Sequence, residues 1–355
     1  MNMNLEQRIK AFAKLGEALR DEIRNPKSEI RNHTNGWFTS ENITTAIFSI
    51  ANNLTKEKLE KWLEKYQITN HQSPITNHQS VGVIMAGNIP LVGFHDFLCV
   101  LISGNIFVGK LSSDDKILLP KIAEILIEIE PKFKEKIFFV ENFHISKSPK
   151  LSIRNPKFFI ATGSDNSARY FEYYFEKYPS IIRKNRNSIA ILNGSETPEE
   201  MRGLGKDVFQ YFGLGCRNVS KIFVPEKYDF DIFFKAIYEY QNVINNNKYA
   251  NNYDYNKTVY LMSKYKILDN GFLLLKEDNA LTSPVAVVFY EYYKNIKSLE
   301  EKLIEEQNKI QCIVFNSQFH STLERARVRC GNAQSPELWD YADGVDTLNF
   351  LLELT

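Results

Sequence analysis

Apolar and polar positions follow two rhythms along this chain, and the rhythm changes near residue 81. Before that point hydrophobic residues recur every three or four positions. Residues 55–66 (TKEKLEKWLEKY) place Leu59, Trp62, Leu63 and Tyr66 on one helical face, so residues 1–66 are expected to be helical. From 81 onward short apolar runs alternate with longer amphipathic ones. Strands are expected at 81–85, 106–109, 137–140, 158–161 and 188–192, with a helix entered at Pro90, one over 114–130 and one from Asp165. Such alternation implies an α/β domain on a mainly parallel sheet, with ligands at the carboxyl ends of the strands. A second α/β region begins near Thr197, and residues 335–352 are expected to pack back on the rest. The divisions are therefore 1–80, 81–195, 196–330 and 331–355.

Two duplicated words interrupt these rhythms. ITNHQS occurs at 68–73 and again at 75–80, and IRNPK at 23–27 and 153–157. Both are polar and marked by Asn or Pro, so they read as surface insertions, which leaves His71 and His78 without a chemical task. With 355 residues there is room for two domains, and 43% hydrophobic with 25% charged residues is ordinary globular composition. A net charge of +1 gives no field that would draw the chain to nucleic acid or an anionic membrane. The N-terminus has no apolar core of a secretory signal, and the longest apolar run, 89–102, is broken by Pro90, His95 and Asp96. No membrane span is expected. The four cysteines are scattered without CxxC pairing, and His33, His95, His144 and His320 lack metal-ligand spacing. These features point to a cytoplasmic protein with usable thiols and no metal. His95-Asp96, inside an apolar helix, reads as a core pair more readily than as an acid–base pair.

Chemistry concentrates at Cys216, in the run YFGLGCRNVS. A helix expected over 198–212 stops there at glycines, and a strand is expected over 219–225. Gly213 and Gly215 would let the backbone turn sharply and hold the thiol at a rigid boundary, with its N–H as an oxyanion donor. Arg217 would favour the thiolate. The ordinary alternative for a single cysteine is a buried structural one. Cys99 and Cys312, both in apolar elements, read as core residues; Cys330, before Gly331, is less defined. Asn88 ends a strand just before a helix, where its amide can donate to an oxyanion or simply cap a turn. Lys110 ends the next strand and precedes Ser112 and Ser113; it suits a ribose or phosphate, although a solvated lysine is the commoner case. Thr162-Gly163-Ser164 is a strand–turn–helix whose amides could point at a phosphate. No GxGxxG is present, and GLGK at 203–206 runs into Asp207 rather than a Walker loop.

Together these segments resemble the fatty-acyl-CoA reductase family of bacterial luminescence, a branch of the aldehyde-dehydrogenase superfamily. The matching words are VGVIMAGNIPLVGFHDF, GKLSSDDK, IATGSDNSARYFEYYF, FGLGCRNVSKIFVP, SPVAVVFYEYY and SPELWDYADGVDTL, spread over 81–348. The resemblance implies an aldehyde-dehydrogenase-like fold: two α/β domains with a cleft between them and a helical N-terminal region. Residues 81–195 would then be the dinucleotide-binding domain and 196–330 the catalytic one. It also implies Cys216 as nucleophile, Asn88 as oxyanion partner, and Lys110 and Ser164 on the dinucleotide, with Ser112, Ser113 and Gly163 beside them.

Three departures from ordinary aldehyde dehydrogenases are informative. The glutamate that follows their strand-end lysine and holds the ribose is here Ser113, which tolerates a 2′-phosphate and favours NADPH. Their water-activating glutamate maps to 183–190, RKNRNSIA, which has no acid; this basic stretch would attract CoA or nucleotide phosphates, or form a solvated face. The glutamate that positions the nicotinamide ribose would fall on Ala280, leaving Glu277 as an out-of-register candidate. The expected activity is NADPH-dependent reduction of an acyl-CoA, a fatty acyl one in particular, to the aldehyde through an acyl-cysteine. The alternatives are an acyltransferase that never reduces its acyl group and a non-catalytic homologue. Expected partners are acyl-CoA or another acyl-thioester donor, an acyl-transfer partner enzyme and a second copy of the chain.

Overall fold

The structure is a computed structural model that describes residues 3–25, 30, 33, 35–66, 78–143, 156–316 and 327–354. The duplicated words at 68–77, the ends of the IRNPK words at 26–27 and 153–155, and His71, His144 and His320 lie outside the described residues. The chain divides into two compact units, residues 1–184 with 337–355, and residues 185–336.

The first unit opens with three helices whose starts are written in the sequence. Helix α1 (Leu5–Arg24) begins at a reciprocal Asn4–Gln7 capping box, and α2 (Ser40–Asn53) and α3 (Lys56–Glu64) at the threonine caps Thr39 and Thr55. Helix α3 buries Leu59, Trp62 and Leu63, three of the residues the periodicity put on one face. Next come β1 (Ser80–Ile84), α4 (Phe94–Ile102), β2 (Ile106–Lys110), α5 (Leu118–Ile129), β3 (Ile137–Phe139), β4 (Phe158–Thr162), α6 (Asp165–Phe175) and β5 (Ser180–Arg183). The sheet order is β3-β2-β1-β4-β5 and every pairing is parallel. The chain builds outward from β1 on one side, then returns to build outward on the other. A switch point therefore lies between β1 and β4, where such sheets bind ligands.

Two helices start later than periodicity suggests. Leu91 takes a left-handed backbone (φ 59°), so residues 90–93 turn and α4 waits until Phe94. Asp115 Oδ1 accepts the Leu118 N–H at 3.1 Å and Ser112 bridges to Asp115, so α5 starts at Leu118 and not near 114.

The second unit contains β6 (Asn187–Ile191), α7 (Pro198–Phe209), β7 (Val219–Pro225), α8 (Phe230–Ala236), α9 (Asn247–Met262), β8 (Ile267–Asp269), β9 (Leu274–Glu277), β10 (Val287–Tyr293), α10 (Ile296–Glu306), β11 (Ile310–Phe315) and β12 (Arg327–Arg329). Its sheet runs β12-β11-β6-β7-β10-β9-β8, parallel except for the β8–β9 pair. Ile189, Ile191, Phe223, Leu303 and Ile313 fill one side of it. The strand near 188–192 was expected to close the first half. It pairs instead with β7 and β11, so the division falls at 184/185, and residues 1–80 belong to the first unit rather than standing apart. β5 and β6 are both short apolar runs, and the polar residues between them look like any tight turn. The last helix, α11 (Thr347–Leu352), belongs again to the first unit. Trp62 Nε1 there donates to Tyr341 Oη at 2.7 Å.

Candidate active site

Burial separates the four cysteines. Cys99 and Cys312 are fully buried and Cys330 partly so, whereas Cys216 is exposed. Burial pushes the Cys99 thiol well above its usual range and the Cys330 thiol up to about 12, so neither ionises readily near neutrality. Of the four cysteines, Cys216 is the exposed residue.

The loop that presents Cys216 is held from several sides. α7 starts at a Thr197–Glu200 capping box with Pro198 in its first turn. It ends at Phe209, where Tyr211 (φ 53°), Phe212 (φ 58°) and Gly213 (φ 77°) are successively left-handed. Tyr211 and Phe212 are buried side chains in a conformation that costs a non-glycine roughly 1–2 kcal/mol each. Their burial offsets that cost. Gly215, expected as a turning residue, has no left-handed backbone. Its N–H instead donates to Asn218 Oδ1 at 2.8 Å, and the Asn218 N–H returns to Gly215 O at 3.0 Å. The Asn218 amide also reaches the carbonyls of Asp207, Val208 and Gln210. Asn218 thus ties the end of α7 to the loop; it lies within the run already singled out, but its type alone does not reveal the task. Ser188 Oγ on β6 donates to Cys216 O at 3.0 Å.

Arg217 differs from expectation. It is buried, and its Nε donates to Ala333 O, so the guanidinium braces the 333 loop. Asp207 holds the same loop by accepting from Gly331 N (2.7 Å) and Ala333 N (3.0 Å), and burial lifts its carboxyl to about 7.

In the first unit the other candidates share the carboxyl edge of the five-stranded sheet. Asn88 is exposed after β1; Lys110 ends β2, and Met85 N donates to Lys110 O at 3.1 Å. Gly87 lies so close to Ser112 that an added Cβ would stand 2.5 Å from its Oγ. Only glycine permits this approach. Ser112 Oγ accepts the Asp114 N–H at 3.2 Å, while Ser113 is exposed. Beyond β4, Ser164 caps α6 by accepting from Ser167 N at 3.2 Å, and Phe175 stacks on Phe159 at 4.0 Å to hold that helix to the sheet. One expectation fails here. The Gly163 N–H does not point outward but donates to Arg183 O at 3.3 Å, and a Cβ on Gly163 would meet Ser167 Cβ at 2.9 Å. Gly163 serves close packing. In the second unit Glu277 is exposed at the end of β9.

The acyl-CoA reductase (LuxC) family model matches residues 2–243. That is more than half of the chain. The chain belongs to the LuxC acyl-CoA reductase family. No curated protein was found to match this reductase, but solved structures do. An aldehyde dehydrogenase 21 from Physcomitrella patens, in complex with the product succinate, is 13% identical with a TM-score of 0.69, over 99% of this chain and 84% of that one. An NAD-dependent aldehyde dehydrogenase from Sinorhizobium meliloti is 12% identical (TM-score 0.63; 89% and 71% covered), and an NADP-dependent enzyme from E. coli 13% identical (0.65; 94% and 79%). At such identities the likeness shows the fold, which is that of the aldehyde dehydrogenases.

In this reductase the basic stretch that begins with the last residue of β5 is not a phosphate-attracting face at that residue. Arg183 is buried and grips Asp96 through both nitrogens (2.6 and 2.9 Å), with Thr347 Oγ1 at 2.8 Å. Burial alone would lower its pKa; the Asp96 charge and hydrogen bonds outweigh that and raise it. Lys184 pairs with Glu172 at 2.7 Å. His95 Nε2 donates to Leu338 O at 2.9 Å, burial lowers its pKa, and the ring packs on Trp62 and Tyr341. Among the described residues no group of three or more His, Cys, Asp or Glu could hold a metal, and no helix is long and apolar enough to cross a membrane.

Proposed function

We propose that this reductase converts a fatty acyl-CoA to the aldehyde with NADPH, through an acyl group carried on Cys216. The observation that carries the reading is the exposure of this one cysteine on a braced loop, while Cys99 and Cys312 are sealed in the core. The Cys216 thiolate attacks the thioester carbonyl, and the Cys216 backbone N–H and the Asn88 amide stabilise the oxyanion. Collapse expels CoA thiolate and leaves a thioester on Cys216, an exchange of one thioester for another that needs no ATP.

The carboxyl edge of the first sheet suits a dinucleotide: a switch point beside β1, a strand-end lysine, a loop made close by Gly87, and a serine-capped helix N-terminus. Lys110, Ser112, Ser113 and Ser164 would hold it, with Ser113 donating to a 2′-phosphate that a glutamate would repel. The reduced nicotinamide supplies the hydride. Glu277 would orient its ribose. Cys216 holds the acyl carbon for that transfer, and the resulting thiohemiacetal releases aldehyde and regenerates the thiolate. The absence of an acid from 183–190 is consistent with an acyl-enzyme that is reduced rather than hydrolysed.

Labelled acyl-CoA without reductant should leave a hydroxylamine-sensitive label on the wild type and none on Cys216→Ser. Adding NADPH should discharge the label as aldehyde, with loss of absorbance at the nicotinamide band. Reduction by Cys216→Ser at the wild-type rate would overturn the proposal. A label that NADPH cannot discharge would leave an acyltransferase.

A further inference from the structure

Cys216 sits at the corner of a turn, and the two peptide groups that flank it are each held by a buried polar residue. The Asn218 N–H donates to Gly215 O at 3.0 Å, which closes residues 215–218 into a β-turn with Cys216 in its second position. Neither Cys216 nor Arg217 has a left-handed backbone, so the turn is of type I. The Gly215–Cys216 peptide is trans, and its carbonyl and N–H therefore point in opposite directions. With Gly215 O fixed on Asn218, the Cys216 N–H is turned away from Asn218.

Asn218 closes this turn a second time, because its Oδ1 accepts the Gly215 N–H at 2.8 Å. Its Nδ2 donates to the carbonyls of Asp207, Val208 and Gln210 at 3.0, 3.3 and 2.8 Å, at the end of α7. An aspartate of the same shape would keep the acceptor and lose the donors.

Ser188 holds the next peptide. Its Oγ donates to Cys216 O at 3.0 Å; a carbonyl only accepts, so the single hydroxyl proton lies there. The Cys312 N–H (3.2 Å) and the Cys312 thiol (Sγ at 3.0 Å) must then both donate to Ser188 Oγ. Cys312, which sequence alone reads as a core residue, thus completes the partners of this hydroxyl. The ladder is irregular on both sides of Ser188. On β7 the pairing steps from Val219 to Lys221 and leaves Ser220 extra. On β11 it steps from Ile310 to Ile313 while β6 advances from Asn187 to Ile189, so Gln311 and Cys312 both stand opposite Ser188. Bulges of this kind re-aim groups beside functional sites. The Ser188 N–H also donates to Asn218 O at 3.3 Å, which ties the two residues together. Ser188 is 0% and Asn218 3% exposed, so water is kept from replacing these bonds.

We infer that Ser188 and Asn218 are positioning residues for acyl transfer. By fixing the peptides on either side of Cys216 they aim its N–H at the oxyanion that forms on the thioester carbonyl. This inference rests on Cys216 as the acyl acceptor. The bonds that carry it end on backbone atoms of the turn, so its signature is a loss confined to reactions that pass through an oxyanion.

The test uses the full chain and two reactions of the same sulfur. Labelled palmitoyl-CoA transfers its acyl group to Cys216 with release of CoA, through an oxyanion; iodoacetamide alkylates the sulfur with release of iodide and forms none. Ser188→Ala should lower the acylation rate constant about 10²-fold, the order of loss for a displaced reacting group, while the alkylation rate stays near the wild-type value. Asn218→Asp should show the same split, and it decides the matter if Ser188→Ala does not fold. A merely structural role would lower stability and leave both rates of the folded protein unchanged. That result, or an equal fall in both rates, would overturn the inference. A wild type that iodoacetamide alkylates at Cys216 but palmitoyl-CoA does not label would instead remove the acyl-cysteine reading, and this inference with it.

Discussion

A thiol can accept an acyl group only where a carbonyl can approach it, and in this reductase that distinguishes Cys216 from residues of the same type. Cys216 is exposed; Cys99 and Cys312 are not. Sequence alone already pointed to it through the flanking glycines, but the brace could not be read there: Asn218 and Ser188 act across hydrogen bonds whose partners are fixed by the fold. Arg217 shows the converse, since adjacency in sequence suggested a charge for the thiol and the side chain is used on Ala333. Asn88 is exposed, so Asn88→Ala should keep its thermal midpoint within about 2 °C while kcat falls roughly 10²–10³-fold, the loss expected for one oxyanion donor. Full activity with acyl-CoA in the variant would remove Asn88 from the mechanism. Ser113 is likewise exposed, and Ser113→Glu should shift the ratio of kcat/KM for NADPH over NADH by about tenfold or more towards NADH. An unchanged ratio would mean that residue 113 does not meet the ribose.

The elements that carry these residues were legible as a rhythm, and their ends much less so. Strand positions agree to within a residue or two because short apolar runs are hard to mistake; α4 and α5 begin late because Leu91 and Asp115 impose local geometry that hydrophobic spacing does not report. Backbone strain sits beside the candidates, with Leu91 three residues after Asn88 and the left-handed pair Tyr211–Phe212 before Cys216. Gly213 extends that run in open space, with Val208 O at 3.5 Å as its nearest neighbour, so Gly213→Ala should cost only backbone strain, roughly 1–2 kcal/mol by urea unfolding. A neutral result would show that the turn relaxes. The neighbouring 333 loop, which Arg217 braces, has a support that titrates. The Asp207 carboxyl, lifted to about 7 by burial, stabilises the fold while protonated, and that contribution is lost as pH rises from about 4 through 7. Asp207→Asn, though less stable overall by about 1–3 kcal/mol, should lose less stability between pH 5 and pH 7.5 than the wild type. Parallel profiles for the two proteins would show that Asp207 does not titrate in this window.

At the scale of the whole chain, the α/β architecture followed from the alternation of periods, whereas the division at 184/185 was hidden because β5 and β6 sit three residues apart yet enter different sheets. Burial also hid the part played by Arg183. In sequence it opens a basic run and looks solvated; in the first unit it joins β5, α4 and α11 by gripping Asp96 and Thr347. Two charges at 5% exposure are held there at the expense of hydration, and the pair is stable only as a pair. Removing one partner strands the other, so Asp96→Ala and Arg183→Met should each destabilise the protein by roughly 3–5 kcal/mol in urea unfolding. The double variant buries no orphan charge, and its loss should fall short of the sum of the single losses by about 2 kcal/mol or more. Additive losses, or single losses under about 1 kcal/mol, would mean that the apolar contacts of α4 and α11 hold the C-terminal segment in place by themselves. Because neither residue belongs to the proposed chemistry, kcat of the folded fraction should fall far less than in Asn88→Ala, which separates a strut from a catalytic group.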